Sequence, residues 1–436
     1  MNSTATRRIV ITGLGVISPI GNTPDELIQS LRAGRSGIGT FTHIPTGVLP
    51  VDHGAEATAF TGAIENYGPL PKDLQKTIRK AAKLMCREIE MGVAAAQLAI
   101  HDASLTPEVR DRDRAGVIFG CDYIMTLPEE FEAGIKACLD EDGNFHFEQW
   151  ADKGLPRVNP LWLLKYLPNM PASHVAIYND LRGPNNSITL REASSGAALS
   201  EAYSTISRGH ADVLIVGSTG SRIQAFRSMH ASMQETLAPT MDDVTKTCRP
   251  FDQDRAGAVL GEGAAALVLE TYDHATARGA KIYGEVLGSG SSMVSSSVDP
   301  QFYRRAIGNS IRMATRQCDL ASVGHINAHG LGTVDCDRQE AEAIMDVFSA
   351  ANPTIPVVTA KGHFGNLGAG GGMVEIVASI MTLDGELFPT RNCDSIDPAC
   401  PVRVATTSGV AAGKSFVSVN VTPQGQASAV RIGTSP

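Results

Sequence analysis

No run of apolar residues in this chain is long enough to cross a membrane, and none reads as a secretory signal. Aromatic residues are scarce at 5%. The eight cysteines are scattered without a single Cys-x-x-Cys pair. That scatter argues against a zinc or disulfide framework and fits a reduced, cytoplasmic setting; neither a metal nor a cofactor is expected. Positive charge is also in short supply. The net charge of -9 argues against nucleic acid as a main partner. What is present in quantity is glycine, at 43 residues, and 43% hydrophobic residues over 436 positions. That is ample for a large core and for more than one domain, and it suits a close-packed α/β protein with many tight turns.

The polar tail Met1 to Arg8 leads into Arg8-Ile9-Val10-Ile11-Thr12-Gly13-Leu14-Gly15, which reads as a buried strand ending in a glycine turn. Gly13-x-Gly15 lacks the correctly placed third glycine of a dinucleotide loop. Thr23, Pro24 and Glu26 have the order of a capping box and start a helix to Ala33. Pro71 to Asp102 reads as strongly helical, and Ala115 to Gly120 as the next strand. Leu127 to Leu167 is irregular, carries both tryptophans, and has the length of a cap or interface insertion. Further buried strands are expected at Ala211 to Gly217 and Ala264 to Glu270, and a second α/β series begins near Lys281.

The most informative stretch is Gly183 to Gly196. Ser187 to Leu190 reads as a short strand, Ala193-Ser194-Ser195-Gly196 as small residues, and Ala197 to Ile206 as a helix. A sharp strand-to-helix turn is where many folds present a nucleophile, and a helix N-terminus favours negative charge there. This stretch, with Ile9 to Ile38, Arg249 to Gly263 and the run His329-Gly330-Leu331-Gly332-Thr333, resembles the β-ketoacyl-(acyl carrier protein) synthase family. The resemblance covers nearly the whole chain. It implies the thiolase fold, an α/β architecture of two similar halves, 1–271 and 272–436, stacked as five alternating layers. It also implies acyl carrier protein as a partner and a dimer, either with itself or with an active ketosynthase.

In that family a cysteine takes the acyl chain, and two histidines then help decarboxylate malonyl-carrier protein and stabilise the developing oxyanion. Counting without gaps from Gly183-Pro184 places the cysteine at Glu192. His329 falls at the first histidine, with Asp337 and Glu340 at the acidic positions beyond it. The second histidine, in Lys-x-x-x-Gly-His, is replaced: Lys361 is kept, but Asn366 stands at its end and cannot carry a proton. The family's Gly-Phe-Gly-Gly gate is replaced by Val421-Thr422-Pro423-Gln424. Ala193, Thr333 and Thr422 fall where the family contacts substrate, Thr422 keeping a backbone N–H that Pro423 lacks.

Glu192 admits several readings. It can be a protonated glutamic acid shaped like glutamine, a carboxylate paired with His329, or a plug closed by an ion pair such as one with Arg191. Ser194 and Ser195 are poor nucleophiles because no base is visible for them. The expected function is a synthase-like protein that does not perform the usual condensation, in the manner of a chain-length factor. The alternatives are altered chemistry such as malonyl decarboxylation, or a scaffold. Lys76, Arg79, Lys80, Lys83 and Arg87 recur at helical spacing and offer a basic face for acidic carrier protein, with Leu74, Ile78, Ala81 and Met85 on the inward face.

Overall fold

The computed structural model describes residues 7–435; residues 1–6 of the expected polar tail lie outside them. Ile9–Ile17 is the first strand, buried along its whole length. It does not turn at the glycines as expected but runs on to Ile17. The reason is packing. A Cβ on Gly13 would sit 2.3 Å from the Ala99 carbonyl oxygen, and one on Gly15 would sit 2.0 Å from that of Ala95. Helix Arg87–Asp102 presses directly on this strand, so the glycines admit a helix rather than form a phosphate loop. Thr23 caps helix Pro24–Arg32 by accepting from the Glu26 N–H at 3.1 Å, and Glu26 in turn accepts from the Asn22 N–H at 2.8 Å.

Among the described residues the main sheet has 11 strands, and its order shows an internal repeat. One half runs Asn185–Thr189, Ala115–Cys121, Val213–Ser221, Glu262–Thr271, Ile9–Ile17. The other half runs Pro356–Val358, His325–Asn327, Ser415–Val421, Gln426–Gly433, Gly284–Met293, with the short strand Arg403–Val404 beyond it. In each half the first two pairings are parallel and the next two antiparallel. The halves join through a short antiparallel seam, Val10 with Glu285 and Ile11 with Gly284.

Helices Ser194–Ser207 and Gly371–Ile380 pack between the halves, and the second is buried at every position. Helices Arg87–Asp102 and Met170–Asn179 cover one outer face, and Phe302–Thr315 and Val334–Phe348 the other. This is the five-layer thiolase arrangement. Apolar side chains from both halves meet in one core, from Ile9 and Leu14 to Phe416 and Ile432.

The helix expected over Pro71 to Asp102 is broken. Lys72–Ala81 ends in a tight turn, Ala82–Leu84, and Met85 is extended before the next helix starts at Arg87. Met85 and Ile78 are buried, so the break is held by burying the apolar face. Lys76, Arg79, Lys80 and Lys83 are exposed. Arg87 leaves that face. Its Nη2 donates to Glu262 Oε1 at 2.6 Å and to the Ala57 carbonyl at 2.9 Å. Leu127 to Leu167 contains one regular helix, Glu129–Ala137, followed by short turns over which Phe131 packs edge-on against Trp162 at 4.8 Å.

Candidate active site

Three neighbouring parallel strands end at one place. Ala115–Cys121 pairs on one side with Asn185–Thr189 and on the other with Val213–Ser221, Cys121 lying opposite both Thr189 and Thr219. The residues that follow are Asp122, Arg191 with Glu192, and Arg222. The carboxyl ends of parallel strands are where α/β sheets bind ligands. Here they present charge.

Arg191 takes a left-handed φ of 48°, rare for a residue with a side chain, and begins the tight turn Arg191–Ala193 that leads into helix Ser194–Ser207. Glu192 sits in that turn, 2% exposed, at the positive end of the helix. Its Oε1 accepts from Asn366 Nδ2 at 3.1 Å and from Arg222 Nη1 at 3.3 Å. Arg191 Nε lies 3.5 Å from Oε2. Arg191 and Arg222 both also donate to Glu235 Oε1. Beside them Arg227 donates to Asp122 and stacks over the Tyr123 ring at 3.6 Å. The buried arginines Arg191, Arg222 and Arg227 are thus matched by the buried carboxylates Glu192, Glu235 and Asp122.

Burial alone would push the Glu192 carboxyl up. Arg191 and Arg222, helped by the Asn366 amide, outweigh burial and hold it below its ordinary value, so the group is ionised. This corrects the protonated, glutamine-like reading. It also corrects the pairing with His329, because no hydrogen bond joins Glu192 to that residue and His329 Nδ1 has no partner. By contrast Asp122 is pushed up to about 6 by burial, although Arg227 pulls the other way.

The other half supplies His329 and Lys361. The loop that carries His329 is held by carboxylates on helix Val334–Phe348: Glu340 accepts from the His329 N–H at 2.6 Å and the Gly330 N–H at 2.8 Å, and Asp337 from the Leu331 N–H at 3.0 Å. Burial, then the Lys361 ammonium, holds the imidazole well below its usual value, and Asn420 offsets this only in part. His329 is therefore neutral. Lys361 Nζ donates to Glu375 Oε2 at 2.7 Å, and Glu375 also accepts from Thr359 Oγ1 at 2.9 Å. The lysine's charge is spent on that pair.

The remaining expected residues divide. Ala193 lies in the Glu192 turn, and its carbonyl accepts from Ser428 Oγ at 3.0 Å. The Thr422 N–H is not free for an oxyanion: it donates to the Gln426 carbonyl at 2.8 Å, closing a tight hairpin over Pro423 and Gly425. Thr333 stands before helix Val334–Phe348, half-buried, and its side chain caps nothing. Ser195 Oγ is committed to Ser218 at 2.8 Å and the Ala369 carbonyl at 2.7 Å, and Ser194 Oγ to the Cys121 carbonyl at 3.0 Å. The His363 ring bridges the Arg35 and Pro389 carbonyls, each at 3.0 Å, away from Glu192. Asp122, Arg222, Arg227, Glu235 and Glu375 were missed by sequence reasoning. Asp122 and Arg222 did carry a signal: each is a charged residue placed directly after an apolar strand.

The turn that carries Glu192 is thus tied to the other half of the fold by Asn366 Nδ2. The profile of the Beta-ketoacyl synthase N-terminal domain matches residues 6–275, and that of the Beta-ketoacyl synthase C-terminal domain matches residues 283–394. The chain belongs to the β-ketoacyl synthase family. A 3-oxoacyl-[acyl-carrier-protein] synthase 2 of Synechocystis sp. is 32% identical over 400 residues, 90% of each chain. Its counterpart in Staphylococcus aureus is 31% identical over 402 residues, 91% of each chain. Among solved structures, the ishigamide ketosynthase/chain length factor has a TM-score of 0.81 at 27% identity, covering 99% of this chain and 100% of that one. A β-ketoacyl synthase from Burkholderia phymatum has a TM-score of 0.81 at 25% identity, with the same coverage.

Proposed function

We propose that this chain is a ketosynthase-like protein of fatty acid or polyketide biosynthesis that does not perform cysteine-dependent condensation and acts as the partner of an active ketosynthase. The observation that carries this reading is Glu192, ionised and engaged by Asn366, Arg222 and Arg191 at the position where the family places its acyl-accepting cysteine. A carboxylate so held is a poor acyl acceptor, and Asn366 supplies no proton. The hairpin at Thr422 leaves no gate to open.

A solved relative that is itself a ketosynthase/chain length factor supports the partner role. So does strand Asn185–Thr189, which ends the sheet with its outer edge unpaired among the described residues and its residues half-buried or exposed. Acyl carrier protein docks, in this reading, on the exposed Lys76, Arg79, Lys80 and Lys83. The test is light scattering at micromolar concentration with and without candidate active ketosynthases, followed by a condensation assay of the mixture. A dimer whose formation raises the partner's output is expected. A monomer under every condition overturns the reading, and malonyl loss by the chain alone would assign it decarboxylation instead.

A further inference from the structure

Glu88 is a second buried carboxyl, and it stands without the arginines that hold Glu192. It lies in the first turn of helix Arg87–Asp102 and is 9% exposed. No cation pairs with it among the described residues; only its own backbone amide and the Cys86 thiol lie close. Neither of its oxygens is sealed in the packing, in contrast to Glu192 and Glu235, each of which has one sealed oxygen. What remains accessible of Glu88 faces a cavity of about 490 Å³. Neither Glu192 nor His329 lines that cavity. The volume is that of a small-molecule site.

Much of the wall is apolar, with Ile44, Met85, Met125, Leu127 and Ile223 on it, and methionine adapts to varied shapes. The cations on the lining are committed. Arg87 pairs with Glu262 at 2.6 Å, and Lys165 with Glu130 at 2.6 Å. What is left unmatched is two carboxylates, the inner Glu88 and the exposed Glu129, against one exposed histidine, His43. Burial pushes the Glu88 carboxyl up to about 7; its own amide and Cys86 ease the charge, Glu262 opposes it, and Arg227 eases it further. An ionised carboxylate at this depth is costly without a partner, and a cation entering the cavity would offset that cost.

We propose that this cavity binds a small organic cation, an alkylammonium whose nitrogen donates to the Glu88 carboxylate while its chain lies against Met85, Met125 and Ile223.

The probe is heptylamine, with heptan-1-ol and heptanoate as neutral and anionic controls, in calorimetric titrations of the full chain at low salt. An alkylammonium, like lysine, loses its proton only near about 10, so the probe stays charged while Glu88 ionises. Saturable binding of heptylamine is expected above pH 7, tighter than that of either control and weaker below pH 7. Glu88→Gln keeps the shape of the protonated acid. It should weaken heptylamine about tenfold above pH 7, the worth of one charge-assisted hydrogen bond, and leave heptan-1-ol unchanged. It should also erase the pH dependence. Glu129→Gln, at the exposed rim, should change heptylamine less than about twofold. No saturable binding of heptylamine, a control that binds as tightly, or undiminished binding by Glu88→Gln would overturn the proposal. So would an equal loss in Glu129→Gln, which would place the cation at the surface.

Discussion

In the N-terminal half, strands Asn185–Thr189, Ala115–Cys121 and Val213–Ser221 lead into Arg191 with Glu192, Asp122 and Arg222. In the C-terminal half the topologically equivalent strands Pro356–Val358, His325–Asn327 and Ser415–Val421 lead into Lys361, His329 and Thr422. The second group holds a neutral imidazole, a lysine paired with Glu375, and a loop held by Glu340 and Asp337. The first group has been rebuilt into a buried network in which each arginine meets a carboxylate. One fold thus carries a neutral histidine in a hydrogen-bonded loop in one half and a buried ionic lock in the other. In the proposed reading, replacing a nucleophile is not a single exchange. A bare carboxylate at position 192 would be expelled by desolvation, and it is Arg191 and Arg222 that make it tolerable there.

The largest effect should come from an attempt to reopen the lock. Glu192→Cys should still condense at a rate roughly 10²–10⁴-fold below that of a cysteine synthase, because Asn366 replaces a proton-carrying imidazole. A carrier-protein condensation assay reads this out, and full synthase activity would show the lock to be superficial. Next in size, Arg222→Met removes the cation shared by Glu192 and Glu235. It should lower stability in urea by about 3–5 kcal/mol, the usual consequence of stranding one side of a buried pair. A loss near zero would mean that the network is slack.

Smaller still is the acid limb. The Glu192 carboxyl lies below its ordinary 4.5 in the folded state, so its stabilisation is present above 4.5 and is lost as pH falls toward the folded value. Glu192→Gln should therefore flatten the fall in stability below pH 4.5, measured by urea midpoints across pH; an unchanged slope would place the titration elsewhere. The smallest structural effect belongs to the exposed face. Charge reversal at Lys80 and Lys83 should leave the fold intact and weaken carrier-protein binding, most at low salt, where the Debye length exceeds about 10 Å. Equal binding by the reversed and native proteins at low salt would move the docking surface away from this helix.

Much of this was legible in the sequence because it rests on local rules. Thr23 with Glu26 marks its helix by capping chemistry, and apolar runs mark the buried strands. The left-handed turn at Arg191 was foreshadowed by small residues followed by a helix. What was not legible depends on contacts between distant segments. Gly13 and Gly15 look like a turn until helix Arg87–Asp102 is laid across them. Arg87 looks like one more cation of a basic face until Glu262, 175 positions along, takes it inward. Arg222 and Glu235 reach Glu192 and Arg191 only through strand order, which no periodicity reports. Thr422 keeps an N–H in the sequence and loses it to Gln426 in the hairpin.

The most direct test of the closed lock is intact-protein and peptide mass spectrometry after incubation with acyl- and malonyl-loaded carrier protein. The account predicts that the chain gains no acyl mass that survives denaturation. An acyl adduct mapped to any residue from Arg191 to Gly196 would contradict it.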